Sequence, residues 1–154
     1  FYTCTTVDER HNLRVHAVVR VVESYLPYLL PEKLIILRST VYPGVIDIVD
    51  HLLREKLGNV KLAFCPERIV QGKGIQEIFH LPQLVSATSQ VAEDEAAALF
   101  STVTEKVIRL SPREAEIAKL MTNTWRYLEF AIANQFYMMC ESQGQDFYKI
   151  FNNI

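Results

Sequence analysis

The stretch EIAKLMTNTWR, residues 116–126, carries Lys119, Asn123 and Arg126 among apolar neighbours. On a helix turning about 100° per residue, steps of four and seven return to within about 40° of the starting side. The three polar groups therefore share a face. An ammonium and a carboxamide fixed on adjacent turns can steady charge developing on an oxygen. A face turned to water would show the same spacing, and both readings stand at this point. Against open water, Met121, Trp125, Tyr127 and Phe130 surround the polar stripe. Asparagine inside a helix is also mildly unfavourable unless something compensates.

Two shorter motifs invite the same double reading. In CPER, residues 65–68, Glu67 and Arg68 are either surface charges after a proline stop or groups aimed into a crevice above a sheet. In RSTVYPG, residues 38–44, Thr40 either caps the following helix or offers its hydroxyl to a ligand. Cys65 has no histidine placed by sequence to activate it and reads as a buried thiol, as do Cys4 and Cys140. Cysteines and histidines form no ligand-spaced pair, so no metal site is expected.

The elements that must position these groups emerge from apolar patterning. FYTC reads as a buried strand, LRVHAVVRVVESYLPYLL as a helix, and KLIILRST as a strand covered on both faces. VYPG turns the chain into the helix VIDIVDHLLREKLG, with Gly58 at its cap. VKLAFCP is a strand, and a loop containing QGKG comes after it. PQLVSAT is another strand, SQVAEDEAAALFSTV a helix capped by Ser89, and KVIRL the last strand. Ser111, Pro112 and Glu114 then form a capping box that opens a helix free of glycine and proline from Arg113 to Gln143. Gly144 stops it before QDFYKIFNN begins another. This order predicts a mostly parallel, doubly wound α/β sheet and then a long connecting helix. Functional groups in such sheets gather at the carboxyl ends of strands, here CTT, RST and CPER.

A net charge of -2 with no local Lys/Arg cluster gives no field for nucleic acid. No apolar run is long enough to span a membrane. The odd number of dispersed cysteines fits reduced thiols in the cytoplasm. Both ends lack polar fraying, which points to a piece of a larger protein. No GxGxxG occurs, so a dinucleotide site does not follow from the residues alone.

Taken in order, RSTVYPG, AFCPERI and EIAKLMTNTWRYLEFAIAN resemble the UDP-sugar 6-dehydrogenase family across nearly the whole chain. CPERI and the arginine three residues after Asn123 are most similar to the branch oxidising UDP-N-acetylhexosamines, either UDP-N-acetylmannosamine or UDP-N-acetylglucosamine. Where the UDP-glucose branch has a second glutamate, this sequence has Gln71. The resemblance implies an NAD-dependent, four-electron oxidation of a sugar C6 alcohol to a carboxylate, for surface polysaccharide precursors. It implies that Thr5 and Thr40 contact NAD, and that Lys119 and Asn123 are catalytic and touch substrate. Glu67 matches the carboxylate tied to thioester hydrolysis; Arg68, Ile69 and Arg126 match substrate contacts. Residues 1–111 would be the carboxy-terminal part of a Rossmann-like NAD domain, and residues 112–154 a connecting helix that pairs two protomers and opens a central helical domain. The glycine-rich turn is expected before Phe1 and the nucleophilic cysteine after Ile154, so this piece alone would be inactive. Two other readings remain: a β-hydroxyacid dehydrogenase, which also sets a lysine and an asparagine four apart, and a non-catalytic helical dimerisation module.

Overall fold

A computed structural model describes residues 15–69, 72 and 74–154. The expected FYTC strand, with Cys4 and Thr5, lies outside the described residues, as do Val70, Gln71 and Lys73 around the QGKG loop.

Helix α1 (Val15–Tyr25) buries Val18 and Val22, one helical turn apart, and gives way to a short 3-10 turn at Leu26–Tyr28 containing Pro27. Strand β1 (Leu34–Leu37) leads to helix α2 (Val45–Leu57), which stops at Gly58 with φ of 81°. A left-handed backbone there favours glycine. Strand β2 (Lys61–Phe64) precedes helix α3 (Gly74–His80) and strand β3 (Gln83–Ala87). Helix α3 falls where the sequence suggests a loop; seven residues are too few for a period to stand out. Helix α4 (Gln90–Ser101) starts at Ser89, whose side chain accepts from the Ala92 amide. Strand β4 (Val107–Arg109), helix α5 (Pro112–Ser142) and helix α6 (Phe147–Phe151) complete the chain.

The strands form one sheet in the order β1-β2-β3-β4. β1 and β2 are parallel, as are β3 and β4, but β3 runs antiparallel to β2. The sheet is thus mostly parallel, with a reversal the sequence did not announce. In that register β3 begins at the end of the sheet where β2 finishes. Gln83, at the amino end of β3, therefore joins the carboxyl tips of β1 and β2.

Alternation along β1 explains its uninterrupted apolar run. Ile35 and Leu37 pack into a core with Val18, Val22, Val49, Leu53 and Phe64. Leu34 and Ile36 face the other side, against a smaller cluster holding Cys65, Val85, Ala96 and Ala97. Both faces of the sheet are covered, α1 and α2 on one and α4 on the other.

The chain divides into two compact units, one running to Leu120 and the other from Met121 to Ile154. The start of α5 belongs to the first, where Ala115, Glu116 and Lys119 are buried. Its capping box is formed as expected: the Glu114 amide donates to Ser111 Oγ at 3.3 Å, and the Ser111 amide donates to Glu114 Oε2 at 2.8 Å. In the second unit, Gly144 (φ 63°) stops α5 and Asp146 caps α6. Phe147 packs edge-on against Tyr137 and stacks on Phe151. Among the described residues no helix is long and apolar enough to cross a membrane.

Candidate functional site at the strand tips

The first unit gathers four of the expected residues, Glu67, Arg68, Ile69 and Lys119, beside the carboxyl tips of β1 and β2. Pro66 has no N–H and interrupts the ladder, yet the amides on either side still donate to β1: Cys65 to the Leu37 carbonyl at 2.9 Å and Glu67 to the Arg38 carbonyl at 3.2 Å. The loop is therefore held on the sheet as it leaves it.

Glu67 is the organising residue of this loop. Its Oε1 accepts from the Arg68 amide at 2.7 Å and the Ile69 amide at 2.8 Å. Its Oε2 is paired with the Arg38 guanidinium. Its backbone carbonyl accepts from Lys119 Nζ, arriving from α5. Arg38 also reaches Gln83 Oε1 at 3.4 Å and lies over the Phe100 ring, 5.0 Å from its centroid. Arg68 donates to the Pro82 carbonyl, and burial holds its guanidinium below its ordinary pKa, opposed by the Glu67 carboxylate. The surface-charge reading of CPER does not hold. Between Arg38, Glu67, Arg68, Glu77 and Gln83 lies a recess of about 20 Å³, room for roughly one water molecule.

Lys119 is only 8% exposed. Lysine is seldom that buried without a partner, and here the Glu67 carbonyl is one. For this residue the solvated-face reading fails. Asn123 and Arg126 belong to the second unit, where each is half-buried. Met121, Trp125, Tyr127 and Phe130, expected to shelter the stripe, are all exposed. A unit of two helices has too little interior to cover them.

Thr40 sits half-buried beyond the tip of β1, next to buried Ser39. It does not cap α2. The cap position is Gly44 (φ 108°), and the cap is supplied from elsewhere in the sequence: Glu116 accepts from the Gly44 amide at 2.6 Å and the Ile46 amide at 2.9 Å. This bears on a dinucleotide. The half-buried Thr40 hydroxyl is of a type that hydrogen-bonds such oxygens, whereas the helix N-terminus that could take a phosphate already holds a carboxylate. Thr5 lies outside the described residues.

Cys65 is fully buried, and burial pushes its thiol up to about 12, which suits a core thiol and not a nucleophile. Cys140 is half-buried in the second unit beside a groove of about 240 Å³ lined by Phe136, Met139, Phe147, Ile150 and Phe151. Sequence reasoning missed Arg38, Gln83 and Glu116. A charged residue directly ending an apolar strand, and a glutamate one turn before a lysine on an apolar helix, were the available signals.

The chain is similar to several known proteins. Residues 3–104 match the NAD binding domain of the UDP-glucose/GDP-mannose dehydrogenase family. The UDP-N-acetyl-D-mannosamine dehydrogenase of Methanocaldococcus jannaschii is 31% identical over 143 residues, covering 92% of this chain and 33% of that protein. The chain thus spans about a third of that relative's length. Among solved structures, UDP-N-acetyl-mannosamine dehydrogenase from Staphylococcus aureus superposes with a TM-score of 0.75 at 26% identity, over 98% of this chain and 39% of that one. UDP-D-ManNAc dehydrogenase from Pyrococcus horikoshii superposes at 0.83 with 22% identity, over 97% and 37%, a likeness of fold.

Proposed function

Because the chain belongs to the UDP-glucose/GDP-mannose dehydrogenase family, we propose that it is part of an NAD-dependent enzyme oxidising the C6 alcohol of a UDP-N-acetylhexosamine to the uronic acid. The substrate class rests on the similarity to UDP-N-acetylmannosamine dehydrogenases and on the CPERI loop. In this reading residues 1–111 are the carboxy-terminal part of the cofactor domain. Residues 112–154 are the connecting helix and the start of the next domain.

The observation that carries the reading is the buried Lys119 ammonium at the strand tips, fastened to the Glu67 carbonyl. Lys119 is the group that steadies negative charge on the reacting sugar oxygen, with Asn123 adding an amide donor. Lys119 also exchanges the alcohol proton. Thr40 at the tip of β1 would hold NAD, with Thr5 assigned the same task, and the cofactor would supply the acceptor for the hydride lost from C6 in each oxidation.

Glu67 orients the water of the hydrolytic step. A carboxylate accepts about four hydrogen bonds; here Arg38, the Arg68 amide and the Ile69 amide supply three donors. The adjoining recess has the volume of about one water. Arg68, Ile69 and Arg126 contact the substrate, the arginines pairing with its anionic groups. The reaction also needs a nucleophilic cysteine, and buried Cys65 does not suit that task.

The partner is a second copy of the chain. Met121, Trp125, Phe130, Tyr137 and Met138 on α5 offer the apolar surface for a homodimer, and sedimentation of the longer protein tests it. Free thiols at Cys65 and Cys140 suit the cytoplasm.

Product analysis of the longer protein tests the activity. A UDP-N-acetylhexosaminuronic acid with two NADH formed per sugar supports the reading. Oxidation of a small hydroxyacid with one NADH, and none of the nucleotide sugar, refutes it and favours a β-hydroxyacid dehydrogenase.

A further inference from the structure

Glu116 is 1% exposed, the most deeply buried charged residue of the described chain, and the assigned chemistry makes no use of it. It sits on α5 one turn before Lys119. Its two carboxylate oxygens accept from the Gly44 and Ile46 amides, at 2.6 and 2.9 Å, at the start of α2. The first amides of a helix have no partner within it, and the partial positive charge there favours an anion. One side chain thus satisfies two amides of another helix about 70 residues away in sequence.

The consequence is mechanical. Helix α2 is joined to β1 through the RSTVYPG turn, so its N-terminus is fixed to the same sheet edge as the Glu67 loop. A two-point bond from Glu116 to that N-terminus sets how far α5 can slide or rotate along the sheet. Lys119, three residues on and within about 60° around the helix, inherits that setting. Ala115 of α5 also packs in the core that holds Val45 and Val49 of α2, a contact without direction, and the ion pair of Arg113 with Asp47 at 3.0 Å joins two exposed side chains and constrains little. Gly44 leaves room for the arrangement: a Cβ there would stand 2.9 Å from Arg113 Nη1.

We propose that Glu116 is a positioning residue for Lys119: by clamping α5 to the N-terminus of α2 it fixes the lysine's depth at the strand tips. This rests on the reading of Lys119 as the group that meets substrate. Misplacement by about 1 Å can cost roughly a hundredfold in rate, so a small axial slip of α5 is enough.

The test uses the full-length enzyme carrying Glu116→Gln, Lys119→Ala, and both, with Glu116→Asp as a milder variant should the glutamine form fold poorly. Glutamine keeps the shape but turns one acceptor into a donor facing an N–H; aspartate keeps both oxygens on a stem one methylene shorter. The expected result is a kcat lowered about tenfold or more, with KM for the UDP-sugar and for NAD within about threefold, and faster hydrogen exchange at the Gly44 and Ile46 amides. In the Lys119→Ala background the same substitution should change the residual rate, read by mass spectrometry of product, by less than about threefold, because its effect runs through the lysine. Wild-type kcat in both Glu116 variants, or an equal loss with and without Lys119, overturns the proposal while leaving the lysine's role intact. Normal turnover by Lys119→Ala overturns the role of the lysine and the positioning role with it.

Discussion

The two units solve opposite problems. At the strand tips of the first, charged groups are buried or half-buried and each is engaged: Glu67 with Arg38 and two amides, Lys119 with a carbonyl, Glu116 with two amides. In the second, the large apolar side chains are on the outside, with Trp125 at 65% and Met138 at 62% exposure. Buried polar groups are expensive unless satisfied, so such a network is kept only where shape is at a premium. Exposed apolar surface is the reverse case: it gains by being covered. The first unit satisfies these buried charges internally, whereas the second leaves its large apolar side chains exposed.

That contrast can be broken experimentally. The largest stability effect should come from Phe64→Ala, which empties the centre of the larger core. A loss of about 3–5 kcal/mol is expected in denaturant unfolding; a loss near zero would mean that the first unit is not held by this core. Gly44→Ala places a side chain where φ is 108° and presses on Arg113. The backbone alone should cost about 1–2 kcal/mol, since the guanidinium can move aside. Phe130→Ala on the exposed face of α5 should shift unfolding by less than about 0.5 kcal/mol while weakening self-association in sedimentation. If it unfolds the protein, the second unit has a hidden interior and the contrast fails.

The smallest effect concerns the capping box. The Ser111 amide and hydroxyl hold the Glu114 carboxyl below its ordinary value. A depressed carboxylate contributes stability above its unfolded pKa and loses it as pH falls through the folded one. The box should be whole above pH 4.5, the ordinary glutamate value, and fade below it. An NMR titration of Glu114 that shows no depression would contradict the geometry. Ser111→Ala should speed amide exchange in the first turn of α5 a few-fold and leave the strand tips unchanged.

Legibility in the sequence tracks the range of the interactions. Ser111 and Glu114 are three apart, Ser89 and Ala92 likewise, and Gly58 acts within its own helix; each was legible because neighbours decide it. The two-sided covering of β1 was legible from composition. The partners of Glu67 and Glu116 were not, since Arg38 is 29 residues from the one and Gly44 is 72 from the other. The reversal of β3 was hidden for the same reason, as strand direction is set by where a long connection ends. Lys119 was picked out by type and spacing, but spacing alone did not reveal the burial that separates it from a solvated lysine.

The measurement that tests the central claim most directly is the rate of NADH formation by the intact enzyme carrying Lys119→Ala, with UDP-sugar affinity measured alongside. Removing one such donor typically costs about a hundredfold to a thousandfold in kcat, so a loss of that size with a folded protein and substrate binding nearly unchanged is predicted. NADH formation at the wild-type rate would contradict the assignment.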